Sequence, residues 1–254
     1  MELNFDQVGQ GPNLIIIHGL FGSASNFRTL AKHFGEFYTV YCLDLRNHGA
    51  SPHDDDTSFE AMASDVIEFM DKKNIETAAI MGHSLGGKVA MQMALTFPER
   101  VSKLIVGDIA PVEYPHHHNQ IFDGLNAVTH AGVTSRKEAE KILVDYVDIP
   151  AVRLFLLTNL SRQADKSLAW RINVAGLSKG YENIAKKPHG SPYTGPTIFI
   201  RGALSDYVRP EYSPAIHELF PEVEIATLEG AGHWLHAEKP EEYIKMTLDF
   251  LKRT

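Results

Sequence analysis

Gly82-His83-Ser84-Leu85-Gly86 sets a serine between two glycines. The apolar stretch Glu76–Met81 precedes it, and Gly87–Ala94, with apolar residues at helical spacing, follows. Strand, sharp turn and helix is the setting that lets a serine oxygen project from a backbone conformation most residues avoid. The helix start also offers free N–H groups to developing negative charge. Two other stretches carry what such a serine needs for acyl transfer. His18-Gly19-Leu20-Phe21-Gly22-Ser23 follows the apolar run Leu14–Ile17, where a loop can aim an N–H donor at an oxyanion. Losing one such donor costs about 2.7–4 kcal/mol of barrier. The donors expected are the N–H groups of Leu20 and Leu85, with Phe21 as the alternative to Leu20. Ala231-Gly232-His233-Trp234-Leu235-His236 follows the strand candidate Val223–Leu228 and brings His233, able to act as general base and then general acid.

With Asp44-Leu-Arg-Asn-His-Gly-Ala-Ser51, Asp108-Ile-Ala-Pro111 and Trp170-Arg-Ile-Asn173, these stretches resemble the α/β-hydrolases over nearly the whole chain. The narrower motifs are similar to those of the YbfF-type esterases and their mitochondrial abhydrolase relatives. The resemblance implies an α/β-hydrolase fold, a mostly parallel sheet with helices on both faces and a helical cap insertion. It also implies a cofactor-free serine esterase acting on short acyl esters, with acyl-CoA thioesters as a second substrate class. A cofactor-free perhydrolase or C–C bond hydrolase on the same framework is the nearest competitor. A hydrolase-derived sensor of a small ligand is the competitor from another class.

The remaining partner is a carboxylate to hold the imidazole tautomer. Many α/β-hydrolases carry it after the strand that follows the cap, in a G-x-x-D-x-x-[VI] pattern. Here that strand is Thr197–Arg201 and the loop is Gly202-Ala-Leu-Ser-Asp-Tyr-Val208. Counting from Gly202, the acid position holds Ser205, and Asp206 comes one residue late. Asp108, at the end of the strand candidate Lys103–Gly107, lies on the adjacent strand, and the resemblance also implies it. Asp108 is therefore the first choice and Asp206 the alternative.

A chain of 254 residues is long enough for one large α/β domain. Its alternating strand and helix patterns predict a mostly parallel sheet. A net charge of −8 argues against nonspecific nucleic-acid binding. The start, Met1–Asp6, has neither a basic region nor an apolar run, so no signal peptide is expected. Nor is a membrane segment, since no apolar run approaches the required length. The single cysteine, Cys42, fits a reducing compartment and a cytoplasmic location, and lies in the strand candidate Thr39–Leu43 as a core thiol. The partners expected are a small acyl ester or thioester, no nucleic acid and no membrane, with the chain a monomer or small homo-oligomer.

The alternation breaks between residues 111 and 190, which leaves 1–110 and 191–254 as the core and 111–190 as the cap. This stretch reads as helices, for example Ser135–Val147 and Pro150–Leu160, without a clear strand. It carries ten Lys/Arg against eight Asp/Glu, which would suit a phosphate-bearing leaving group or an ordinary solvated surface. Substrate contacts are expected from Phe21, Phe122, Leu125, Phe155, Leu156, Trp170 and Trp234. Trp170 and Arg171 fit a pocket wall or a cap anchor equally well. Asp44, Arg46 and His48 are expected to brace the oxyanion loop, and His236 to anchor its own loop. His116-His117-His118 lacks the spacing of a metal site and reads as a cap loop, so no metal is expected.

Overall fold

The apolar runs assemble into one seven-stranded sheet in the computed structural model, which describes residues 1–116 and 118–253. The chain makes β1 (Phe5–Val8), β2 (Asn13–Ile17), β3 (Thr39–Leu43), β4 (Ala78–His83) and β5 (Val101–Gly107). A separate hairpin of β6 (Leu160–Arg162) and β7 (Leu168–Trp170) follows, then β8 (Thr197–Gly202) and β9 (Val223–Leu228). The main sheet runs β1-β3-β2-β4-β5-β8-β9, with β1 antiparallel and every other neighbouring pair parallel.

Strand β2 shows why the runs are apolar throughout rather than alternating. Ile15 and Ile17 join the core that holds Met62, Val66, Val89 and Met93. Leu14 and Ile16 face the opposite core, with Leu30, Phe34, Tyr243 and Phe250. A parallel strand covered on both faces must be apolar at every position. The covering helices are Phe59–Lys72 and Leu85–Thr96 on the first face, Arg28–Phe34 and Pro240–Leu251 on the second. Cys42 belongs to the second core, and burial pushes its thiol up to about 12.

The expected strands are present, two of them, Thr39–Leu43 and Val223–Leu228, with the expected bounds. Strand β1 has no counterpart in the sequence reading because it is a short, half-exposed edge with little apolar signal. Between β5 and β8 the chain leaves the sheet and forms helices Asn119–Ala131, Arg136–Leu143, Pro150–Leu157, Val174–Lys179 and Tyr181–Ala185. The hairpin β6–β7 corrects the expectation of helices alone. Leu160, expected to end a helix, lies in β6 paired with Trp170. Three residues per strand are too few for a period-2 pattern to register. Among the described residues no helix is long and apolar enough to cross a membrane.

Candidate active site

Ser84 caps the helix Leu85–Thr96 with φ 54° and ψ −118°, a backbone state that non-glycine residues hold only when the surroundings enforce it. The enforcement comes from close packing. A Cβ on Gly82 would sit 2.1 Å from the Gly86 carbonyl oxygen, and one on Gly86 would sit 2.2 Å from that of Ile17. Strand, turn and helix therefore meet with no room for side chains. The Ser84 N–H donates to Gly107 O at 3.0 Å, tying the turn to the end of β5.

One residue beyond Gly107, Asp108 is fully buried at φ 48°, its N–H bonded to Ile200 O at 2.9 Å. Its carboxylate gathers three donors. Oδ1 accepts from the Gly202 N–H at 2.9 Å, and Oδ2 accepts from His233 Nδ1 at 2.7 Å and from the Ser205 hydroxyl. The proton therefore sits on His233 Nδ1, leaving Nε2 as the basic nitrogen. The imidazole is stacked on Tyr207, with ring centroids 4.0 Å apart, and the His233 carbonyl accepts from His83 Nε2 at 2.7 Å. Asp206 lies elsewhere: its side chain is 89% exposed, 3.6 Å from Arg209. The turn closed by Ser205 N–H to Gly202 O points Ser205 inward and leaves Asp206 in solvent. Ser205 thus occupies the acid register as a hydrogen-bond donor to a carboxylate that arrives from the adjacent strand.

The loop from His18 to Ser23 is held by two buried histidines. His48 Nε2 accepts from the Phe21 N–H at 3.2 Å while its Nδ1 donates to Arg46 O at 2.9 Å. His18 Nε2 accepts from Leu45 N–H at 3.0 Å and its Nδ1 donates to Gly19 O at 2.8 Å. Both patterns need a neutral ring, and burial supplies it: His18 is lowered and His48 is pushed down to about 3. Phe21, at φ 62°, is also held at its carbonyl, which accepts from Asn159 Nδ2 at 2.7 Å. With its N–H taken by His48, Phe21 is unsuited to the donor role weighed for it. Among the described residues the N–H groups of Leu20 and Leu85 make no hydrogen bond. Of the other residues expected as braces, Asp44 binds the Ala24 N–H at 2.7 Å, just past the loop. Arg46 instead forms a buried pair with Asp65, Nε to Oδ2 at 2.6 Å, on the helix Phe59–Lys72.

Two lobes open from Ser84 and Leu20. The first, of about 70 Å³, is lined by Phe21, His83, His118, Ile121, Val152, Phe155, Leu156, His233, Trp234 and His236. The second, of about 50 Å³, is lined by Leu85, Lys88, Ile109, Tyr114, Tyr181, Ile184 and Tyr207. Phe21, Phe155, Leu156 and Trp234 thus lie where substrate contacts were sought. Phe122, Leu125 and Trp170 line neither lobe. Phe122 packs its ring on Phe21 and Tyr181, and Leu125 is fully buried with its carbonyl accepting from Trp170 Nε1 at 3.0 Å. The helix Asn119–Ala131 turns that face into the packing of its own segment and presents Ile121 to the lobe instead. His116 and His118 lie against the Tyr181 ring, while His117 is outside the described residues. His236 stacks on Phe27 at 4.5 Å, which fits an anchoring role. Among the described residues no group of three His, Cys, Asp or Glu could hold a metal ion.

Three participants are absent from the sequence reading. Ser205 carried a signal, since it fills the register the acid vacates. Asn159 carried none. Lys88 follows Ser84 by one helical turn, and a single lysine in an amphipathic helix reads as solvated. Instead it is buried, its ammonium donating to Val112 O at 2.9 Å, Ala185 O at 3.0 Å and Lys186 O. Burial pushes this amine down to about 7.

Residues 12–240 match the family described as alpha/beta hydrolase fold. Esterase YbfF of Escherichia coli is 34% identical over 239 residues, covering 94% of this chain and 92% of its own. The sn-1-specific diacylglycerol lipase ABHD11 of Mus musculus is 38% identical over 251 residues, with coverages of 94% and 81%. A solved structure titled "Marine microorganism esterase" superposes with a TM-score of 0.95 at 41% identity, over 98% of this chain and 99% of that one. Sheet order, serine turn and sequence agree: the chain belongs to the α/β-hydrolase family, in its esterase/lipase branch.

Proposed function

We propose that the protein is a carboxylesterase that cleaves short-chain acyl esters through an acyl-enzyme on Ser84. His233 Nε2 takes the Ser84 hydroxyl proton as Oγ bonds to the acyl carbon. The oxyanion that forms is held by the N–H groups of Leu20 and Leu85, the latter at the positive end of a helix. The tetrahedral species then loses the alkoxide, which takes the proton from His233, and a water activated by the same nitrogen releases the acid. Asp108 holds the tautomer and stabilises the imidazolium, with Ser205 and Gly202 fixing the carboxylate. Segment 111–190 acts as the cap over the cleft. Thioesters enter the same cycle, because only the leaving atom changes.

The observation that carries this reading is the 2.7 Å bond from His233 to buried Asp108, beside a strained Ser84 that shares its cleft. Ser84→Ala should lower turnover of p-nitrophenyl butyrate by roughly 10⁴-fold or more and abolish fluorophosphonate labelling. Retention of a tenth of the activity would remove Ser84 from the nucleophile role. Butyryl-CoA, assayed in parallel, decides whether thioesters belong to the substrate range.

A further inference from the structure

The two lobes differ in a way that assigns the two halves of the ester, given the acyl-enzyme reading above. The nitrogen that protonates the leaving oxygen belongs to His233, which lines the first lobe and not the second. A leaving alcohol must pass its oxygen to that nitrogen, so it occupies the first lobe. The acyl chain is left with the second, between Ile109, Ile184 and Tyr207.

The first lobe is also the one with unmet polar groups. His83 donates through Nε2 to the His233 carbonyl, so its Nδ1 carries a lone pair, and that nitrogen has no partner among the described residues. His236 is buried to nine-tenths and makes no hydrogen bond there through either ring nitrogen, with Nδ1 fully enclosed. The two rings meet edge to face, centroids 4.7 Å apart. Burial holds both neutral, with His236 down to about 4, so the pair presents one N–H and two lone pairs. Most buried polar side-chain atoms have a hydrogen-bond partner, and an exception calls for a reason. A hydroxyl, which donates and accepts at one atom, matches this pair; an alkyl chain does not. We infer that the first lobe selects leaving alcohols bearing a second hydroxyl, bound by His83 and His236, while the second lobe sets acyl length.

The test compares glyceryl 1-monobutyrate with n-propyl butyrate, which share the acyl group and the carbon count of the alcohol. The native enzyme should favour the glyceryl ester tenfold or more in kcat/KM, a difference of about 1.4 kcal/mol. His236→Phe should bring the ratio close to one, and His236→Gln, which keeps a donor and an acceptor, should restore part of it. A native ratio near one overturns the proposal without any variant, and so does a ratio that survives His236→Phe. Ile184→Trp should depress hexanoyl against acetyl esters tenfold or more. If it alters the glyceryl-to-propyl ratio instead, the lobes are assigned the wrong way round. Fluorophosphonate labelling of Ser84 in each protein separates the two levels: an unlabelled native serine refutes the acyl-enzyme reading, and a labelled one without alcohol preference refutes only this inference.

Discussion

The edge of the sheet and segment 111–190 both face Ser84, yet they are built on different terms. At the sheet edge each reacting group is fixed by a specific bond: Asp108 by Gly202 and Ser205, His233 by Asp108, Phe21 by His48. The segment contributes side chains whose places follow from helix packing, and it is fastened at a few points. Lys88 grips both its ends, Asn159 reaches the Phe21 carbonyl, and the Asn173 N–H donates to Asn47 O at 2.9 Å. Chemistry needs sub-ångström placement, which hydrogen bonds supply; a choice among substrates needs only shape. Changes at the edge should therefore alter rate, and changes in the segment should alter preference or stability.

The sharpest form of that contrast is the carboxylate. Asp108→Asn should lower kcat by about 10²–10⁴-fold, because the amide no longer fixes the productive tautomer. Asp206→Asn, on a solvated side chain, should stay within roughly twofold, in keeping with the small effect of exposed charges. A larger loss for Asp206 than for Asp108 would reverse the assignment, and steady-state kinetics on p-nitrophenyl butyrate decides it.

Fixing loops with neutral histidines should also make the sheet edge sensitive to acid. His18, His48, His83 and His236 are all lowered from the ordinary value of 6.5, with His48 about 3 and His236 about 4, chiefly by burial. The unfolded chain binds these protons near pH 6.5 and the fold refuses them until far lower. Stability therefore falls as pH drops from 6.5 toward 4, by up to about 1.4 kcal/mol per pH unit for each histidine. Urea melts between pH 7 and pH 5 should show this slope, shallower in His48→Gln. A flat profile would mean that the rings are not held neutral.

The fastening of the segment is tested at Lys88. Lys88→Met keeps the length and removes the ammonium, orphaning the carbonyls of Val112, Ala185 and Lys186, at a cost of about 2–3 kcal/mol. Hydrogen exchange should quicken across 111–190 and stay slow in β2–β5. Uniform quickening would make the segment and the sheet one cooperative unit.

What the sequence made legible follows the same division. Each loop at the sheet edge is a short contiguous motif, so Ser84, His233 and the Leu20 and Leu85 donors could be located by type and spacing. Even the Asp206 misregister was visible, because a one-residue shift in a tight loop turns a side chain around. The segment offers no such code. Helical periodicity marks Phe122 and Leu125 as apolar and buried but not which surface they bury against, and their burial is in the packing of the segment itself. Lys88 was illegible because its three acceptors are carbonyls from sequence-distant chain, and no residue type announces a carbonyl.

Trp170 gives the smallest and most discriminating effect. Its indole donates to Leu125 O at 3.0 Å, and it pairs with Leu160 across the hairpin. Its neighbour in expectation, Phe155, instead lines the first lobe beside Trp234, ring centroids 6.3 Å apart. Trp170→Phe keeps an aromatic ring and loses one hydrogen bond, so it should cost about 1 kcal/mol of stability. The ranking of esters should be the same as in the native enzyme. Phe155→Ala opens the lobe assigned to the alcohol and should favour bulkier alcohols by up to about 3 kcal/mol, with acyl preference retained. A matrix of two acyl groups against three alcohols, read as kcat/KM, separates the two variants. If Trp170→Phe reorders the matrix as Phe155→Ala does, the segment transmits its internal packing to the cleft. The division between a wall that selects and a scaffold that supports would then have to be abandoned.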